Sequence, residues 1–351
     1  MTNGETQNEI ELNSSINKIL GVLDHIGDST VTVFGDYCLD KYLYIDPVRD
    51  EISLETGLTA YQADRKSLFP GAAGTVVGNL RSLGARVRCV GLIGEDGEGY
   101  ELTKALRRIG ADTGLMVRSD SIMTNTYIKP MRGSGDTECT EMNRIDIRNF
   151  KETSEDLEDR LLENLKLSLG DSLGVVITDQ FLERNCSVIT DRVRCKLAEM
   201  ARQYADKFFF ADSRGFIRYY HDIIIKCNQF ELPGAEKSGV GQDEGAVLDR
   251  GGRLLAANGR AVVITLGEKG AYVLERGMPP ARIPAFPVEG PVDIVGAGDA
   301  TSAGAILGLT LGLSLPEAVL LGGCVSSITI QQIGVTGTAT VEQVRRRLLN
   351  Q

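Results

Sequence analysis

Val175-Val176-Ile177-Thr178-Asp179 is a run of mostly β-branched residues that closes on an acid, and a helical pattern over about 187–205 follows it. A short apolar run of this kind, bounded by polar residues, reads as a strand buried on both faces. The same unit recurs on either side of it. Residues 31–34 end in Gly35-Asp36, and 87–93 end in Gly94-Glu95-Asp96 ahead of a helix over about 99–109. Residues 208–211 end in Asp212, 223–225 lead to Cys227-Asn228, and 261–265 end in Leu266-Gly267. Repeated strand–turn–helix units predict an α/β fold, a doubly wound and mostly parallel sheet with helices on both faces. Ligands of such sheets sit at the carboxyl ends of the strands. Here nearly every predicted strand end carries an acid, a glycine or an asparagine.

Two regions break the pattern. Residues 40–69 contain period-two stretches such as Tyr42-Leu43-Tyr44-Ile45, and 124–131 with 141–147 read as further strands; none leads into a helix. They predict a small antiparallel β lid outside the main sheet, the alternative being hairpins at its edge. Residues 1–30 read as a loose tail leading into a short helix, with Ile16, Leu20 and Leu23 at helical spacing. Residues 31–351 then form a single domain, with lid strands from about 40–69 and 124–147.

Composition narrows the function. The net charge of −10 argues against nucleic acid, whose phosphates call for a surplus of Lys and Arg, but leaves room for a nucleotide. Seven scattered cysteines without a C-x-x-C predict neither a disulfide framework nor a zinc site. Two histidines, His25 and His221, are few for a Ser-His-Asp hydrolase or a His-rich metal enzyme. There is no signal-like start and no apolar stretch near the roughly 18 residues of a membrane span. The expected setting is the cytoplasm, with no membrane and no nucleic-acid partner.

The chemistry gathers in Pro291–Gly304, which contains Gly296-Ala297-Gly298-Asp299 and opens an apolar, small-residue helix to about residue 311. The glycines free the backbone, so N–H groups at the helix start converge on one spot and the helix dipole adds attraction for an anion. Asp299, in the first turn, is then placed as a general base for a hydroxyl attacking phosphorus. Phosphoryl transfer needs little more than positioning and charge stabilisation. Taken alone, the acid reads more readily as a helix cap after a glycine turn than as a base.

Its company favours the first reading. Asp293–Asp299, Pro70-Gly71-Ala72-Ala73-Gly74-Thr75 through Asn79, and Val90–Gly99 follow one another in an order that resembles the ribokinase-like, phosphofructokinase-B family of carbohydrate kinases. The resemblance spans about residues 31–350 and implies an ATP-dependent kinase with Mg²⁺. Asp299 takes the catalytic-base position, with Gly296, Ala297 and Gly298 as the anion hole. The resemblance assigns Asp36, Asp40, Gly71, Ala72, Thr75, Asn79 and Arg144 to the sugar. Asn228, Arg214, Thr265, Gly267, Gly270 and Ser326 fall on the nucleotide side. Glu231 with Asn228 resembles an N-x-x-E magnesium element, acting through water because that ion sheds water reluctantly. Val325, Ile328 and Ile333 are candidates for an adenine pocket. A monovalent cation is left open, since Ile294-Val295 stands where threonines are common.

Within the family, Ile52–Thr56, Arg144-Ile145-Asp146 and Ala211–Gly215 resemble the heptose-7-phosphate kinase branch. Thr75 and Ala72 depart from the family's Asn and Gly, and Leu182 stands where that branch carries Lys. The acceptor expected is therefore a sugar or sugar phosphate, with heptose 7-phosphate one candidate. A homodimer through the lid is expected by resemblance. The competing readings are a kinase-fold sensor that binds sugar or nucleotide without turnover and a nicotinamide-dependent oxidoreductase. The second fails because no G-x-G-x-x-G follows the first strand.

Overall fold

The strand Gly174–Asp179 lies inside an eight-stranded sheet, paired in parallel with Thr30–Gly35 on one side and Phe208–Ser213 on the other. The computed structural model describes residues 3–133, 139–235, 243–334 and 336–351, with side chains from residue 12 on. Across the sheet the order is Ala281–Ile283, Ala271–Glu275, Ala261–Thr265, Ile224–Asn228, Phe208–Ser213, Gly174–Asp179, Thr30–Gly35 and Arg86–Val90. The first two are antiparallel additions at one edge, and the other six run parallel. Both faces are covered. Val175 and Ile177 face the layer containing the helices Glu155–Ser168, Asp191–Gln203 and Glu244–Asn258, whereas Val176 faces the layer of Ala297–Thr310 and Leu315–Thr329. That is why these strands read as continuous apolar runs rather than alternating ones.

The chain leaves Thr30–Gly35 toward one edge, then returns across it to Gly174–Asp179 and proceeds the other way. This reversal puts a crevice at the carboxyl ends of those two strands. The predicted strand over 87–93 is broken at Gly91. Arg86–Val90 stays in the main sheet, while Leu92–Gly94 pairs with Val117–Ser119. A Cβ on Gly91 would lie 2.4 Å from the Tyr37 ring, so the bend needs glycine.

The lid stands outside the main sheet, as expected, and it is mixed rather than wholly antiparallel. Tyr37–Ile45 pairs antiparallel with Ala63–Ala72 but parallel with Thr126–Arg132. The two strands of the parallel pair are joined by a long crossover through Ala73–Ser82, Arg86–Val90 and Gly97–Arg108. The expected loose tail is also corrected: a helix spans Asn3–Val22, and Ile16 and Ile19 are buried in the core. Lys18 from that helix pairs with Glu317 of Leu315–Thr329 at 2.7 Å.

The helix Ala297–Thr310 is buried nearly throughout its length. It meets Leu315–Thr329 through small residues: a Cβ on Gly322 would lie 2.4 Å from the Thr301 carbonyl oxygen, and one on Gly304 would lie 2.7 Å from Gly322 Cα. Among the described residues no helix is long and apolar enough to cross a membrane.

Candidate active site

Gly296 adopts φ +79° and serves as the N-cap of Ala297–Thr310. Ala297 N–H donates to Ile294 O at 3.1 Å, so the N–H groups this helix start leaves for an anion or water are those of Gly298 and Asp299. Asp299 sits in that first turn. Its carboxylate makes no hydrogen bond or ion pair with the described residues. Burial and then Asp212 push it up to about 7, while Lys226 pulls the other way.

Sequence reasoning passed over the pair behind this turn. Lys226 Nζ donates to Asp212 Oδ2 at 2.5 Å, and Ser302 Oγ donates to the same oxygen at 3.0 Å. A Cβ on Gly298 would lie 3.3 Å from Lys226 Nζ, so the ammonium stands directly against the glycine turn. Burial opposes the Lys226 charge, but Asp212 more than reverses this and holds the ammonium above its ordinary range. The available signal was a lone lysine within the apolar strand Ile224–Asn228, where an unpaired charge does not survive.

The N-terminal glycine motif reaches the same place from the lid. Thr75 lies in the first turn of the helix Ala73–Ser82, and a Cβ on Gly296 would lie 3.3 Å from Thr75 Cγ2. Gly71 lies against Asp40: a Cβ there would sit 2.5 Å from Asp40 Oδ2. Asp40 pairs with Lys129 of the lid at 2.9 Å, and Lys129 also donates to Tyr42 OH at 3.1 Å. Ala72 holds φ +52° and ψ −117°, a region natural only to glycine. Ala72→Gly is therefore expected to stabilise the fold by roughly 1 kcal/mol, the relieved strain exceeding the added chain entropy. Thermal unfolding checks this, and an unchanged or lower midpoint would contradict it.

Several expected ligand residues are placed otherwise. Asp36 is 1% exposed, and its carboxylate accepts N–H groups from Gln180, Phe181 and Val188. It faces main chain, not the open crevice. Burial and Asp179 push it up to about 7, against those three donors. Asn79 is wholly buried and donates to Thr75 O at 3.1 Å. Gly270 is demanded by close backbone, since a Cβ there would lie 2.1 Å from Ile283 O. Gly267 has open space instead, and Thr265 ends the neighbouring strand. Val325 and Ile328 belong to the core, while Ile333 is exposed; Ser326 is half-buried on Leu315–Thr329. Arg144 is exposed on the lid and paired with Asp146. Arg214 is exposed at the carboxyl end of Phe208–Ser213, and its N–H donates to Asp179 O.

Asn228 and Glu231 close a reciprocal turn. Asn228 Oδ1 accepts from Phe230 N and Glu231 N, and Glu231 Oε2 accepts from Asn228 N at 2.7 Å. Among the described residues one Glu231 oxygen has no donor. No group of three or more His, Cys, Asp or Glu that could cage a metal occurs among the described residues. The Glu231 oxygen without a donor is a hard ligand of the kind that suits a Mg²⁺ keeping most of its water. Asp293 accepts from Val295 N and Gly334 N, and Ile294 and Val295 add no side-chain oxygen for a monovalent cation.

The family profile for pfkB family carbohydrate kinases matches residues 31–341. The chain belongs to that family. As a pfkB-family member it is a sugar kinase, and among its curated relatives are proteins named bifunctional protein HldE. That of Bradyrhizobium diazoefficiens is 27% identical over 325 residues, 92% of this chain and 64% of the relative. That of Hyphomonas neptunium is 28% identical over 335 residues, 94% of this chain and 66% of the relative. The chain thus spans about two thirds of the length of these relatives. The fold of this pfkB-family kinase is also that of Arabidopsis thaliana ribokinase complexed with ribose and ATP, at TM-score 0.65 and 18% identity, covering 91% of this chain and 98% of that one. Escherichia coli phosphofructokinase-2 in complex with potassium gives 0.69 at 16% identity, covering 92% and 98%.

Proposed function

We propose that this sugar kinase transfers the terminal phosphoryl group of ATP to a hydroxyl of a sugar or sugar phosphate, with Asp299 as general base. The observation that carries the reading is the Asp299 carboxylate. It has no protein partner among the described residues, lies in the first turn of a buried helix, and is held near neutrality. A base with an affinity for protons near the working pH both accepts the hydroxyl proton and releases it afterwards. The Gly298 and Asp299 N–H groups would receive the charge on the transferring phosphoryl oxygens, and Lys226 adds a fixed positive charge behind them. Asp40, kept in place by Lys129 and by the missing side chain of Gly71, would accept the hydroxyls of the sugar. Gly267 and Arg214 would border the nucleotide. Glu231 and Asn228 would hold Mg²⁺ through water, the ion supplying charge neutralisation between the nucleotide phosphates.

Resemblance to the heptose-7-phosphate kinase branch makes heptose 7-phosphate the first acceptor to try, and Leu182 keeps the panel wide. Exposed Leu182 packs beside Gly215 and offers no cation. The test is ADP release with MgATP and ribose, fructose 6-phosphate or heptose 7-phosphate, with the product located by ³¹P NMR. Turnover on at least one acceptor is expected. Sugar-dependent thermal stabilisation with no ADP formed on any of them would replace the kinase reading by a non-catalytic sensor.

A further inference from the structure

The segment 180–188 leaves the carboxyl end of Gly174–Asp179 at the crevice, and one side chain holds both of its ends. Asp36 Oδ2 accepts from Gln180 N at 2.9 Å and Phe181 N at 3.2 Å, and Oδ1 accepts from Val188 N at 3.1 Å. The Asp36 main chain is tied to two other parts of the site. Its N–H donates to Thr178 O, and its carbonyl accepts from Ala73 N, each at 2.9 Å. Ala73 opens the helix that carries Thr75.

The middle of the segment is wired to the lid side. Thr153 Oγ1 donates to Ser187 O at 2.7 Å, Thr153 N donates to Asn185 O at 2.8 Å, and Arg148, just past the lid strand Ile145–Ile147, pairs with Glu183. Between the segment, the lid base and Tyr37 remains a cavity of about 20 Å³, lined in part by Asp36, Asn125, Asn149 and Phe181. That is room for about one water, so a shift of the segment has no slack to absorb it. A carboxylate with 1% exposure is tolerated there because main-chain N–H groups replace its water.

We propose that Asp36 is a positioning residue that fixes the 180–188 segment as the acceptor-side wall of the site, and that this segment determines acceptor specificity. The proposal rests on the sugar-kinase reading for its kinetic consequence, not for its structural one. Asp36 links three elements at the point where the sheet reverses direction. The segment it holds carries exposed Leu182 beside Gly215, just past the carboxyl end of Phe208–Ser213, and Glu183 meets Arg148 at the base of the lid. Substituting Asn for Asp36 replaces one accepting oxygen by an NH₂ that faces main-chain donors, so an end of the segment is released.

The experiment compares Asp36→Asn with the wild type by hydrogen exchange, without ligand. Amides over 180–188 are expected to exchange at least tenfold faster, with those over 265–270 changed less than twofold. With MgATP and the acceptor from ribose, fructose 6-phosphate and heptose 7-phosphate that the wild type turns over best, acceptor KM is expected to rise at least tenfold and ATP KM less than twofold. Unchanged exchange over 180–188, equal acceleration of both loops, or a parallel rise of the two KM values would each overturn the proposal. If no acceptor is turned over, the kinase reading falls, while the exchange comparison still decides the role of Asp36. The wild type supplies a check that needs no variant: amides of Gln180, Phe181 and Val188 should exchange at least tenfold slower than those of Leu182 and Glu183. Equal rates would refute the clamp.

Discussion

Asp299→Asn is expected to lower turnover by roughly 10²–10⁴-fold, the range in which a positioned general base contributes, with little change in nucleotide affinity. The side chain keeps its shape and loses only its ability to take a proton. Because burial and Asp212 push Asp299 up to about 7, wild-type kcat/KM should climb with pH and reach half of its plateau near 7. Steady-state rates across pH check both points. Turnover in the variant equal to the wild type, or a flat profile between pH 5 and 8, would remove Asp299 from the role. The same shift predicts a stability effect of opposite sign. Carboxylates in the unfolded chain titrate near ~4. Between there and about 7 the folded protein binds more protons at Asp299 and Asp36 than the unfolded chain does, so their contribution to stability is full at low pH and is lost as pH rises through 7. Asp299→Asn should therefore melt higher than the wild type at pH 8 and lose this advantage toward pH 4.

Lys226→Met is expected to destabilise the protein by about 3–5 kcal/mol, because breaking a buried pair leaves Asp212 as an uncompensated buried charge. Ser302 offers one hydroxyl to that carboxylate and cannot replace the lost ammonium. The catalytic effect follows from the same arithmetic of charge. Without Lys226, Asp212 and Asp299 face each other unneutralised, so Asp299 holds its proton more tightly and the acid limb of the pH profile moves upward. The double variant Lys226→Met with Asp212→Asn should recover much of the stability and return the acid limb toward 7. Denaturant unfolding and pH–rate curves of Lys226→Met, Asp212→Asn and the double variant check this. Additive losses in the double variant would mean the two side chains do not act as a pair.

The inner parallel strands were legible because they are buried on both faces, which writes an uninterrupted apolar run into residues such as 175–178 and 261–264. The Gly296–Asp299 turn was legible because glycine spacing and a following small-residue helix leave few alternatives. Three features were not. The break at Gly91 depends on the Tyr37 ring, which is distant in sequence from the strand it bends. The roles of Asp36 and Asn79 depend on where a side chain points after the fold forms: one toward the N–H groups of 180–188, the other under its own helix. The Asp212–Lys226 pair joins two strands that meet only in the sheet, so neither residue announces the other along the chain.

The close seating of Ala297–Thr310 against Gly322, with carbonyl oxygen 2.4 Å from where a methyl would go, has a consequence for redesign. The half of the crevice that would handle phosphate consists of main chain and a helix with no spare volume, so sequence libraries placed there would mostly yield unfolded protein. The half that would face the acceptor carries side chains of the lid and of 180–188, where Lys129, Arg148, Leu182 and Glu183 are all partly exposed. New acceptor preferences are therefore best sought by randomising those four positions, leaving the phosphate-handling half untouched as an inherited engine.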